Sequence, residues 1–87
     1  MKDKHVILGV HIQNRARDVM KVQQALTQYG CNIKTRLGLH EVDENFCAAG
    51  GVVLLELFGA DAECAALEAA LSGLEGVELQ KMVFTHP

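Results

Sequence analysis

Aromatic side chains are scarce in this chain: 5% of 87 residues, with no tryptophan, one tyrosine and three phenylalanines. Proteins that hold single-stranded nucleic acid stack its bases on aromatic rings, so this scarcity argues against such a surface. Positive charge is also thin. Eight Lys and Arg stand against eleven Asp and Glu, a net charge of −3, and the cations are scattered over Lys2, Lys4, Arg15, Arg17, Lys21, Lys34, Arg36 and Lys81. Phosphate recognition wants a clustered positive face, and no direct nucleic-acid binding is expected. No apolar run approaches the roughly 18 residues of a membrane helix, so no membrane partner is expected either.

Three cysteines, Cys31, Cys47 and Cys64, lie far apart with no CxxC pair. That pattern is neither a disulfide framework nor a zinc ribbon. The apolar run at the N-terminus is broken by His5, Gly9 and His11, which reads as a strand rather than a signal peptide. Unpaired thiols and no leader place the protein, as an expectation, in a reducing cytoplasm.

Catalytic chemistry finds little to work with. The one serine, Ser72, has no histidine near it in sequence. His40 and Cys47 share a stretch read as a long loop, which fixes no nucleophile–base geometry, and Cys47 reads as a small loop hydrophobe. His5 and His11 lie on one strand face about 20 Å apart, too far to share an ion within a chain, though two copies could bring them together. His86 is in the tail, and Glu41, Asp43 and Glu44 lack the spacing of a calcium loop. Gly50-Gly51 precedes a strand rather than a helix, so it presents no helix N-terminus to a phosphate. Asn14 and Arg15, at the first strand-to-helix junction, are candidates for a small anionic effector, with a plain helix cap as the simpler reading. The expectation is a non-enzyme with no metal site and no cofactor.

What is present is a clear rhythm. Residues 5–12 alternate as a strand, with Val6, Leu8, Val10 and Ile12 on one side. Asn14 caps a helix over 15–29, whose stripe is Ala16, Val19, Met20, Gln23, Leu26 and Tyr29 and which Gly30 is expected to stop in the left-handed conformation. Residues 32–39 read as an edge strand with Ile33, Leu37 and Leu39 inward. An acidic connection over 40–50, too long for a tight hairpin, leads to a nearly continuous apolar strand at 51–58 that reads as covered on both faces. Asp61 is expected to cap a second helix with Cys64, Leu67, Leu71 and Leu74 inward, and 77–84 returns as the last strand.

The order β-α-β-β-α-β implies an α+β, ferredoxin-like domain over residues 1–87: a four-stranded antiparallel sheet with both helices on one face. A chain this small buries only about 60–65% of its unfolded surface, and association is one remedy. The uncovered sheet face would receive Ile7, Gly9, His11, Val52, Leu54, Glu56, Met82 and Phe84. So large an apolar patch is unusual on a monomer. A homo-oligomer, dimer or tetramer, is therefore expected. Its candidate interface residues are Ile7, Gly9, His11, Val52, Leu54, Met82 and Phe84, with Gly9 permitting close backbone approach.

The strand-turn-helix ILGVHIQNRARDVMKVQQALTQYG, the second strand IKTRLGLHEVDEN and the segment GGVVLLELFG before an Ala-rich helix carry a resemblance over roughly residues 6–84. Its most telling pieces are Arg36-Leu37-Gly38 and the acidic stretch after it. In these the chain resembles the iron-only hydrogenase system regulator family, ACT-like proteins similar to the C-terminal domain of the nickel-responsive regulator. The resemblance implies a ferredoxin-like homo-oligomer with a hydrogenase-linked regulatory role, including transcriptional regulation, in an anaerobe. The nickel regulator's His-x-His pair is absent, and so, by expectation, is its ribbon-helix-helix DNA-binding segment. The Pro-Gly pair common in amino-acid-binding ACT domains is replaced by Gln13-Asn14-Arg15-Ala16. The expected function is thus a non-catalytic oligomeric regulator or sensor, acting through a protein partner or a small effector with Asn14, Arg15 and His40 as weak ligand-binding candidates. The alternative is a small metal- or cofactor-handling accessory protein that uses His and Cys at its interface.

Overall fold

Alternation along the first strand organises the whole molecule. In β1 (Lys4–Ile12) Val6, Leu8, Val10 and Ile12 are buried, while His5 is exposed and Ile7, Gly9 and His11 are half-covered. The computed structural model describes residues 4–42 and 47–85, and gives the backbone alone for 15, 16, 39–42 and 47–50. After β1 come α1 (Arg15–Gln28), a 3-10 turn (Gly30–Asn32), β2 (Ile33–Val42), β3 (Cys47–Leu57), α2 (Asp61–Ser72) and β4 (Val77–Thr85). The strands form one antiparallel sheet in the order β2-β3-β1-β4. Val22, Ala25 and Leu26 of α1 and Cys64, Leu67 and Leu71 of α2 close over the inward residues of β1 together with Leu55 and Leu57. Both helices therefore lie on one face, the ferredoxin-like α+β arrangement.

The register divides the residues between two faces. Leu8 pairs with Leu55, and Val10 with Val53 and Leu79, on the helix side. Ile7 pairs with Glu56 and Met82, Gly9 with Leu54, and His11 with Val52 and Glu78, on the other side. The apolar run in β3 is therefore central but not covered on both faces: Val52 and Leu54 are only half-buried. A second correction concerns β2. The ladder with β3 slips between Ile33 and Thr35, so that Ile33 opposes Leu57 while Leu37 opposes Leu54. Such a bulge changes the parity of every residue after it. Ile33 packs against the core as expected, but Leu37 is turned to the open face and is 52% exposed.

Several local expectations are also revised. The 40–50 stretch is mostly ladder rather than loop: Val42 pairs with Cys47 and His40 with Gly51, and residues 43–46 lie outside the described residues. In α1 the buried stripe is Asp18, Val22, Ala25 and Leu26, whereas Met20 is 66% exposed. Gly30 is not left-handed; among the described residues only Gly59 and Gly76 have positive φ. Instead the chain tightens into the 3-10 turn, where Asn32 N–H bonds the Tyr29 carbonyl at 2.9 Å and takes up one of the free helix-end groups. The N-cap of α2 is Ala60, with Asp61 its first helical residue; no side chain caps it, and the Asp61 carboxylate lies 3.7 Å from Lys4 Nζ.

The β1–α1 junction is closed from the α2–β4 side. Gly76 has φ +79, and its carbonyl accepts from Gln13 N–H at 2.8 Å. A Cβ there would sit 2.5 Å from Asp18 Oδ2 and 2.9 Å from Arg17 Nη2. Gly76→Ala combines left-handed strain with that collision and is expected to cost about 1–3 kcal/mol. Equilibrium urea unfolding measures it. A midpoint equal to the parent's would show that the loop relaxes freely.

Candidate functional site

The open face is assembled from all four strands. β2 contributes Thr35 and Leu37, β3 Val52, Leu54 and Glu56, β1 His5, Ile7, Gly9 and His11, and β4 Glu78, Gln80, Met82 and Phe84. The seven residues expected at an interface (Ile7, Gly9, His11, Val52, Leu54, Met82 and Phe84) are thus brought onto one surface. Leu37, Met82 and Phe84 are about half exposed, at 52%, 48% and 53%. A fully buried side chain of this kind is worth roughly 1.5–3 kcal/mol relative to exposure, so the face carries substantial unused burial.

Gly9 lies in the middle. A Cβ added there would meet nothing nearer than Leu54 Cδ2 at 3.8 Å and the Gln80 carbonyl at 3.9 Å, ordinary contact distances. Packing within the chain therefore leaves room for a side chain at Gly9, and its absence leaves a dimple at the centre of the apolar surface.

At one end of the face the strands converge on a polar cluster. Thr35 Oγ1 donates to Glu56 Oε1 at 2.9 Å, and His5 Nε2 is hydrogen-bonded to Glu56 Oε2. These two bonds, the first from His5 and the second from Thr35, hold the Glu56 carboxyl below its usual range. With Ile7, Leu37 and Leu54, the cluster lines a hollow of about 270 Å³. At the other end His11 and Glu78 face each other in register and line a depression of about 340 Å³ with Gln13, Gly76 and Val77. The pattern of alternation places Glu56 on this face, but the bulge brings Thr35 and Leu37 to it, and a bulge leaves no mark in a period-two pattern.

The weaker ligand candidates lie elsewhere. Asn14 Oδ1 accepts from Arg17 N–H at 3.2 Å and so serves the helix cap. His40 pairs with Gly51, which pairs with Ile12, so His40 stands two strands, about 10 Å, from the end of β1. The side chains of Arg15 and His40 lie outside the described residues. Beside this junction Arg17 donates to both oxygens of Asp18, at 2.8 and 3.0 Å, and this bonding keeps the buried Asp18 carboxyl below the usual carboxylate range. Gly76 is small enough to let that pair close.

The cysteines divide by environment. Cys31 is exposed; Cys64 is buried, its thiol directed to the Phe58 carbonyl at 3.6 Å and pushed up in pKa by burial. A thiol held protonated in an apolar core acts as a small hydrophobe. Among the described residues no three His, Cys, Asp or Glu side chains converge as metal ligands, and no helix is long and apolar enough to cross a membrane.

No family model and no curated protein matches the chain. Among solved structures it is similar to an uncharacterized protein from Thermotoga maritima. That likeness has 21% identity and a TM-score of 0.78, and covers 95% of this chain and all of that one. It is also similar to a de novo designed protein, at 11% identity and TM-score 0.56, over 98% of this chain and 99% of that one. Likeness at these identities is a likeness of fold, and a fold that a designed sequence also adopts carries no function by itself.

Proposed function

We propose that the protein is a non-catalytic regulatory or sensor domain that works as a homo-oligomer joined through its open sheet face. By the resemblance in its sequence, its role is linked to an iron-only hydrogenase system. The observation that carries the reading is the apolar surface of Ile7, Leu37, Val52, Leu54, Met82 and Phe84, laid across four strands on the side of the sheet opposite the helices and the core.

A second copy is the occupant this surface suits, for three reasons. Four strands about 4.8 Å apart and some eight residues long span roughly 19 by 26 Å. That is a flat area of about 500 Å², which side-chain relief enlarges toward the ~800 Å² each partner buries in a standard interface. The molecule also exposes more than its mass requires: 5748 Å² of accessible surface where a monomer of 9.5 kDa has about 5,000 Å². Its radius of gyration is 13.5 Å against about 12 Å for 87 residues. Finally, the polar groups on the face are arranged as donor and acceptor partners, since His5 is hydrogen-bonded to Glu56 and His11 stands opposite Glu78. A two-fold interface sets a surface against itself and needs that balance.

Native mass spectrometry of the untagged protein at micromolar concentration tests the assembly, with a dimer or tetramer expected. A monomer throughout would overturn it. Deleting the gene in its host and measuring iron-only hydrogenase transcripts and activity tests the regulatory role. Unchanged levels under every inducing condition would remove the hydrogenase link.

A further inference from the structure

The single chain gives no reason for a glycine at the centre of its apolar face, and we infer that Gly9 is the socket for Leu54 of a second copy. The contact is made twice, with Leu54 of each copy seated in the Gly9 hollow of the other. The inference rests on the homo-oligomer reading above and adds how the two faces fit together.

Nothing inside the chain requires glycine at this position. Gly9 is ordinary strand, paired with Leu54 of β3 and Gln80 of β4, and among the described residues only Gly59 and Gly76 have positive φ. A Cβ would find ordinary contacts at 3.8 and 3.9 Å. Yet glycine in a strand interior weakens the strand, because it loses more backbone freedom on folding and packs nothing. A residue that weakens the single chain, and that the single chain does not need, marks a close approach from outside.

Symmetry then selects the side chain that fills the hollow. Sheets packed face to face interdigitate the side chains of their inner faces, so a hole must receive a projection. In a two-fold contact, if one residue meets another, the second meets the first. Gly9 and Leu54 are direct neighbours on β1 and β3, the two central strands of the order β2-β3-β1-β4. A two-fold axis running between these strands, and along them, exchanges their positions and sets each Leu54 over the other copy's Gly9. That axis is also the midline of the sheet, so β2 of one copy covers β4 of the other and the whole face is used. An axis across the strands at this level would stack Gly9 on Gly9 and Leu54 on Leu54, a void beside a collision. Met82, which lies diagonal to Gly9, would need an axis between β1 and β4. That placement shifts the copies sideways and leaves Leu37 on β2 without cover.

The test exchanges projection and hole between two full-length chains. Gly9→Leu fills the socket, and Leu54→Ala removes what enters it. Each alone is expected to raise the dissociation constant about tenfold or more in sedimentation velocity, the first by overpacking and the second by leaving cavities. Mixed in equal amounts, the two variants should assemble with each other about tenfold or more tighter than either does with itself. In the mixed pair one contact is the parental one and the other is the same contact with its sides reversed. Native mass spectrometry distinguishes the mixed species because the two chains differ in mass, and circular dichroism checks that each variant is folded. Gly9→Ala is the smaller filling, for the case in which leucine disturbs the strand, and it should weaken association in the same direction. A folded Gly9 variant that assembles at the parent's affinity overturns the socket. A mixture that gains nothing over the separate variants overturns the pairing of Gly9 with Leu54, and in both cases the homo-oligomer stands. A parent that is monomeric at every concentration overturns the interface and the socket together.

Discussion

Leu54→Asp is expected to convert the proposed homo-oligomer to monomers while leaving the fold intact. Leu54 occupies the middle of the open face, opposite Gly9 on β1 and Leu37 on β2, and is only half-buried in the single chain. A carboxylate there stays in water when the chain is alone, so the folding cost is modest. When two faces meet, each copy must bury that charge without a partner. Losses at central interface positions reach 2 kcal/mol or more per site. With two sites in a two-fold contact, the dissociation constant is expected to rise at least about a hundredfold. Sedimentation velocity reads the assembly, and circular dichroism confirms that the strands and helices persist. A Leu54→Asp variant that stays assembled at the parent's affinity would place the interface somewhere other than this face.

Leu8→Ala is the corresponding test of the opposite face, with the effect expected on folding. Leu8 is wholly buried in the middle of β1, with Leu55 and Lys81 as its register partners. It belongs to the cluster that both helices close over, and the close packing there limits how far neighbours can collapse into the space. Leu→Ala at such a site costs about 2–5 kcal/mol. At about 4–8 °C per kcal/mol for a domain of this size, the melting temperature should fall by about 10 °C or more. The scan must be made at fixed protein concentration, because the proposed association would add stability by mass action. Met20→Ala, on the solvent side of α1, is the control and should stay within about 0.5 kcal/mol. Equal effects at Leu8 and Met20 would mean the helices do not pack on this side of the sheet.

These two substitutions sit on opposite sides of the same sheet, and the difference between them is legible in the sequence. Period-two alternation in β1 puts Val6, Leu8, Val10 and Ile12 on one side and Ile7, Gly9 and His11 on the other. The pairing with β3 and β4 keeps that division. Cys64, Leu67 and Leu71 likewise face inward from α2, as their spacing of three and four requires. A pattern survives folding when one face of an element is so much more apolar than the other that no alternative burial competes.

Where the pattern was shallow, tertiary contacts made the choice. Helix α1 presents Val22 and Ala25 rather than Met20 because its buried face also accommodates Asp18, made compatible with burial by Arg17 and by the space Gly76 leaves. Gly30 has no left-handed role because the chain must turn through Asn32. That buried side chain donates to the Phe58 carbonyl at 3.2 Å and ties the start of β2 to the end of β3. Both outcomes depend on residues distant in sequence.

The sequence by itself determined the order of elements, the sheet's two unequal faces and the apolar surface left without cover, because local period and hydrophobicity suffice for those. Only the tertiary structure decided the rest: the bulge after Ile33 that turns Leu37 and Thr35 to the open face, the extension of β2 and β3 through His40 and Cys47, and the joining of His5 to Glu56. Register between strands is a relation between distant segments. One added residue in a ladder reverses every side chain beyond it, and no single strand's own sequence records where that residue falls.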